Sequence, residues 1–164
     1  MALLVPILLW FSALGCGLLA GVYFAFSAFV MTALARSGQA NGVTAMNAIN
    51  STILRSLFMP LFFGTTLSSA VLVVVGAVGW GEPASAPMLV AGVVYVLGMF
   101  GVTMLCNVPL NNTLAAIEPA SPTGAPTWAR YVRDWTWWNH VRTIACVVAT
   151  ALFIAAIASR SAAS

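Results

Sequence analysis

Four long apolar runs, separated by short polar stretches, set the pattern of this chain. They cover residues 2–35, 56–80, 88–106 and 141–157. The first has no charge before Arg36, and the last has Arg142 near its start as its one charge. About 20 mainly apolar residues carry a helix across a bilayer. Backbone groups in lipid need internal partners, which a helix supplies. Strands of a barrel would alternate apolar and polar positions, and these runs do not. The pattern predicts an all-α, four-helix transmembrane bundle, a single integral membrane domain over 1–164, with spans at about 3–35, 53–79, 87–107 and 138–158. Between the first two spans, the part over 43–53 puts Met46, Ile49, Asn50 and Ile53 on one face. That suits a short interfacial helix feeding span two. The fourth helix begins near Thr127, so it extends past the membrane at its N-terminal end. Pro60 sits near the start of span two, and Pro109 is read as the stop of the third helix.

Composition agrees with this pattern. Hydrophobic residues make up 62% of the chain and charged ones 5%, against about 25% charged in a soluble domain. Mean hydropathy is +1.01. Six arginines and three acids give a net charge of +3, too small and scattered for a nucleic-acid surface. The expected surroundings are a lipid bilayer, and no nucleic-acid partner is expected. The first run is too long, and too poor in basic residues at its start, for a cleaved leader. Arg36, Arg55, Arg130 and Arg133 flank or lie in loops one and three, whereas loop two holds Glu82 and the tail Arg160. The positive-inside rule then puts loops one and three in the cytoplasm. The alanine-rich, arginine-only composition fits a GC-rich bacterial genome, hence a multi-pass protein of a bacterial inner membrane. Gly17 and Gly21 form a GxxxG pair, which serves packing within the bundle or a homo-oligomer. Cys16, Cys106 and Cys146 lie in or at the ends of spans and read as small core residues.

The candidate chemistry gathers around "WTWWNHVR", residues 135–142. At 100° per residue, Trp128, Tyr131, Trp135, Trp138, Asn139, Arg142 and Cys146 form one stripe, and Arg133, Trp137 and His140 fall roughly opposite. A stripe of aromatics, amide and guanidinium entering the membrane looks like the wall of a pocket. An arginine one turn inside a span faces a cavity or a partner. Arg142 either snorkels to the surface, donates to Asn107, Asn111 or Asn139, or meets an anionic ligand. Asp134 lies nearly a right angle off its face. The spacing N-x-P-x-N over 107–111 sets two amides about a turn; an amide both donates and accepts. Tyr23 and Ser27 sit one turn apart in span one, and Asn50 faces headgroups or a cavity. Histidine titrates near neutrality, which makes the sole histidine, His140, the natural base candidate. Helical spacing points it away from Arg142, so it is either a surface histidine or reaches the site because the pocket spans two helices or the helix breaks near Trp138. One histidine, three acids and separated cysteines give a poor ligand set for metal or haem, so no cofactor is expected. No phosphate-binding glycine loop and no serine–histidine–acid triad can be placed.

Four segments, "GVYFAFSAFVMTALAR", "NAIN", "NVPLNNTLAAI" and "WARYVRDWTWWNHVRT", appear in that order. With them the chain resembles the anthrone oxygenase-like family of small four-helix membrane proteins. The resemblance implies oxidation of an anthrone-like or phenolic aromatic by O2. In that chemistry His140 is the base, and Arg142, Asn139, Asn107 and Asn111 stabilise the oxyanion. Tyr131, Trp135 and Trp138 hold the ring, with Tyr23 and Asn50 lining the site. The alternative is a non-catalytic membrane protein that binds a quinone, a lipid or another aromatic. The expected partner in either case is a hydrophobic aromatic small molecule.

Overall fold

The computed structural model describes residues 3–163. They fold into five helices and no strand: α1 (Leu4–Arg36), α2 (Gln39–Ile53), α3 (Phe58–Val78), α4 (Ser85–Ala115) and α5 (Ala125–Ala163). All but α2 are long and apolar enough to cross a membrane, which makes this a multi-pass membrane protein. The four rods form a closed ring. α5 lies between α1 and α4, and α3 closes the far side against both.

The rods differ in length, and that difference builds the upper part of the molecule. α3 has 21 residues, whereas α1 has 33, α4 has 31 and α5 has 39. At 1.5 Å per residue α3 is about 30 Å long, the thickness of the hydrocarbon layer. The other three continue past its start at Phe58. The short helix α2 takes the place that α3 vacates, packing against the ends of α1 and α4 and the start of α5. It begins at Gln39, four residues before the expected position. Gly38 makes the turn into it with φ of 87°, a conformation that a residue without Cβ adopts freely.

Two of the rods are not regular. α1 contains a π-helical segment at Phe26–Val30, and α4 contains two, at Val96–Gly101 and Thr103–Asn107. Such widened turns recur at functional sites. The last of them corrects the expectation that Pro109 stops the third helix: the chain continues as α-helix over Val108–Ala115. The wider turn shifts the preceding carbonyls, and Pro109 then falls in the first turn of a new α segment, where its missing N–H costs nothing.

The helices enclose two apolar clusters. The lower one, within the ring of four, contains Leu9, Leu19, Leu72, Tyr95 and Phe153. Here helices approach through small residues. Gly15 lies directly against the Thr65 side chain, and the hydroxyls of Ser12 and Ser68 bond at 2.8 Å. The upper cluster joins Met31, Val43, Met46, Leu114, Trp128, Tyr131 and Trp135. Its close contact is at Gly42, where an added Cβ would run into the Trp128 indole.

Candidate functional site

Between the two clusters lies a polar layer, centred on Arg142. The inner stripe of α5 is as the periodicity indicates: Trp128, Tyr131, Trp135, Asn139, Arg142 and Cys146 are buried. Trp137 is exposed, and Trp138 is half-buried at the edge of the stripe. Arg142 is only 5% exposed, yet among the described residues no carboxylate pairs with it. Asp134, the one acid of α5, pairs at the outer surface with Arg130 and Arg133, at 3.3 and 2.7 Å.

Neutral groups hold the guanidinium instead. One nitrogen donates to Asn139 Oδ1 at 2.7 Å, and another to Thr103 Oγ1 at 3.4 Å. The guanidinium carbon stands 4.4 Å from the ring centroid of Tyr23 and 5.0 Å from that of Trp135. Cations over aromatic faces gain about 2 kcal/mol or more when desolvated. Asn139, fully buried, spends its amide on positioning. Its nitrogen donates to the Tyr23 carbonyl at 2.7 Å and to Ser27 Oγ at 2.8 Å. The Tyr23 carbonyl stands just ahead of the π-helical segment of α1, where the regular ladder is interrupted. Thr143 completes the arrangement by donating to the Asn139 carbonyl at 2.8 Å and facing Ser27 at 3.3 Å. The Tyr23 hydroxyl donates to Met99 Sδ at 3.5 Å.

Above Arg142 the aromatic stack continues. Tyr131 lies between Trp128 and Trp135, with centroids at 5.8 and 6.2 Å, and Phe26 meets Trp135 at 5.5 Å. The amides of the N-x-P-x-N segment engage this stack rather than Arg142. Asn107 donates to the Trp135 carbonyl at 3.2 Å, and Asn111 accepts from the Tyr131 hydroxyl at 2.8 Å. Asn50 of α2 lies beside Tyr131. Thus of the three amides named as partners of Arg142, only Asn139 touches it.

His140 does not join this cluster. α5 is a continuous α-helix through Trp138, so no irregularity brings the imidazole round. His140 lines a separate open groove, with Arg36, Thr136 and Trp137, on the other side of the helix. The expectation that it serves as base at the Arg142 site is corrected on this ground. Thr103 and the ring and carbonyl of Tyr23 were harder to anticipate. Thr103 shares a face with Met99 at four-residue spacing, but nothing in a linear pattern reveals an interrupted helical ladder.

Several buried polar atoms around Trp135 have no hydrogen-bond partner: Arg142 Nε, Trp135 Nε1, Asn107 Oδ1 and Asn50 Nδ2. Unmatched polar groups at this depth are costly, about 1–3 kcal/mol each. Three of these four are donors. Among the described residues, no group of three His, Cys, Asp or Glu side chains is placed to hold a metal ion.

The family model described as anthrone oxygenase matches residues 54–152. The chain belongs to the anthrone oxygenase family. The matched segment holds Thr103, Asn107, Asn111, Tyr131, Trp135, Asn139 and Arg142. Tyr23, Ser27 and Asn50 lie before it, on α1 and α2, so the cluster is completed by helices outside the matched segment. Comparison with curated proteins and with solved structures gives no match.

Proposed function

We propose that this protein is a cofactor-independent membrane oxygenase that binds an anthrone-like or phenolic aromatic at the Arg142 layer and oxidises it with O2. The observation that carries the proposal is a buried guanidinium with no carboxylate, whose Nε–H is unused. A buried cation without a counter-ion favours an anionic ligand. The free donor of Trp135 suits a further ring oxygen, and the free acceptor of Asn107 suits one hydroxyl. The stacked aromatics of α5 suit a flat ring.

The chemistry follows from charge. The central CH2 of an anthrone is acidic because its anion is aromatic. Arg142 would stabilise the oxygen of that anion in a site of low dielectric, where such donors contribute about 2.7–4 kcal/mol each. No imidazole or carboxylate reaches the cluster, so the proton passes to water. The anion gives one electron to O2, and the radical and superoxide recombine to a peroxide. Protonation gives the hydroperoxide, which loses water to leave the ketone. One O2 is consumed, one oxygen atom enters the product and the other leaves as water.

The experiment is oxygen uptake by purified protein with an anthrone. Arg142→Ala is expected to lower the rate by about 10²–10³-fold, with a smaller loss in Asn139→Ala. Uptake unchanged by both substitutions removes the site from the reaction. The missing base supports a second reading, a protein that binds a quinone or another aromatic without turnover. A copurifying aromatic, lost in Arg142→Ala, together with no oxygen uptake, decides for it.

A further inference from the structure

The groove that takes His140 away from the Arg142 layer has its own chemistry. It lies between the end of α1 and residues 132–140 of α5 and measures about 550 Å³. Its lining is apolar at Met31, Val132 and Trp137 and basic at Arg36, Arg133 and His140. Arg133 is already paired with Asp134, whereas among the described residues no acid stands within ion-pair distance of Arg36.

A second observation comes from Thr136. Threonine hydroxyls inside a helix usually bond back to the carbonyl four residues earlier. Thr143 and Thr150 of the same helix do so, at 2.8 Å each. Thr136 does not: its Oγ1 is buried and without a partner, and the side chain lines the groove. Thr136 thus carries an unspent hydroxyl on a residue that lines the same groove as two arginines and an imidazole.

A third observation is what lies toward the membrane from the groove. One and two turns after His140, on the same face of α5, Ile144 is 63% exposed and Val148 40% exposed. Phe29 of α1, one turn before Thr32 of the groove, is 62% exposed. A cationic, hydroxyl-bearing cleft at the level where α3 begins, with an open apolar seam below it, has two parts. The cleft fits a phosphate and the seam fits an acyl chain. The end of the bundle that carries it holds four arginines (36, 55, 130 and 133) against two acids, Glu118 and Asp134, whereas the opposite end holds Arg160 against Glu82.

We propose that this groove is a binding site for the headgroup of one anionic phospholipid, with its acyl chain on the α1–α5 seam. Arg36 and the Thr136 hydroxyl contact the phosphate oxygens. The site is separate from the Arg142 layer, and its test needs no turnover.

Native mass spectrometry of the full chain in mild detergent, with phosphatidylglycerol and phosphatidylcholine at equal concentration, provides the test. One phosphatidylglycerol is expected to be retained in preference. Free glycerol phosphate is expected not to displace it, because it lacks the chain. Arg36→Gln is expected to lower its occupancy about fivefold, as for the loss of one basic contact with an anionic lipid. Thr136→Val is expected to lower it as well, and Arg160→Gln at the opposite end to leave it unchanged. Arg36 is exposed, so its replacement leaves the fold intact. The proposal is overturned by equal retention of phosphatidylcholine or by displacement with free glycerol phosphate. Displacement by an aromatic anion, or unchanged occupancy in both Arg36→Gln and Thr136→Val, overturns it equally.

Discussion

The lower and upper halves of this bundle use polar groups in opposite ways. In the lower half, polar atoms are small and make short links between neighbouring rods, as where Ser12 meets Ser68 and Gly15 admits Thr65. Nothing charged is enclosed there. In the upper half, large aromatics and amides reach across three or four helices, and a guanidinium is held among them. Asn139 ties α5 to α1 through Tyr23 and Ser27 while it holds Arg142. The lower half is organised for close approach, which is what drives helices together in lipid. The upper half keeps donors unsatisfied at a cost in stability, and such a cost is expected where a ligand will meet them.

The sharpest way to break this contrast is Arg142→Met. A lone buried charge carries a desolvation penalty of several kcal/mol, which an apolar side chain of similar size does not. The thermal midpoint in detergent is therefore expected to hold or rise, while anthrone oxidation or aromatic binding falls by at least about a hundredfold. A large drop in the midpoint would instead mean that Arg142 holds the fold together. Leu72→Ala, in the lower cluster, is expected to do the reverse. It should cost about 2–5 kcal/mol in denaturant unfolding and leave ligand affinity in the surviving folded protein intact. Gly42→Val forces a side chain against Trp128 and is expected to cost about 1–3 kcal/mol. Because Trp128 leads the aromatic stack, ligand binding should weaken with it, and a loss of stability with full binding would separate α2 from the site. Ser68→Ala removes one short link in the lower half. It is expected to shift unfolding by only about 0.6 kcal/mol, the mean for hydrogen bonds between membrane helices, with no change in binding.

Much of the architecture was legible in the sequence because apolar run length and helical period are local properties. The four spans, the extra helix before α3 and the N-terminal extension of α5 all follow from them. The inward stripe from Trp128 to Cys146 was legible for the same reason, since a continuous helix keeps its phase over five turns. The same phase placed Trp137 and His140 outside the stripe. What escaped was anything set by an interruption of that phase. The π-helical turns in α1 and α4 change which carbonyls are free and let the third helix run past Pro109, and no residue type announces them.

The sequence by itself determined the solvent, the number of crossings and which face of α5 turns inward, because those depend on spacing along one chain. Only the tertiary structure decided who meets Arg142. Its partners come from α1, α4 and α5, and Thr103, Tyr23 and Asn139 lie up to 116 residues apart in the chain. Three amides were equally good candidates in linear order. Helix packing gave Asn139 to the guanidinium, Asn107 to a backbone carbonyl and Asn111 to a tyrosine, and it left His140 facing the groove at the lipid side. The physical reason is that a side chain bonds to whatever its helix neighbour presents at the same height, and relative height is fixed by packing, not by spacing.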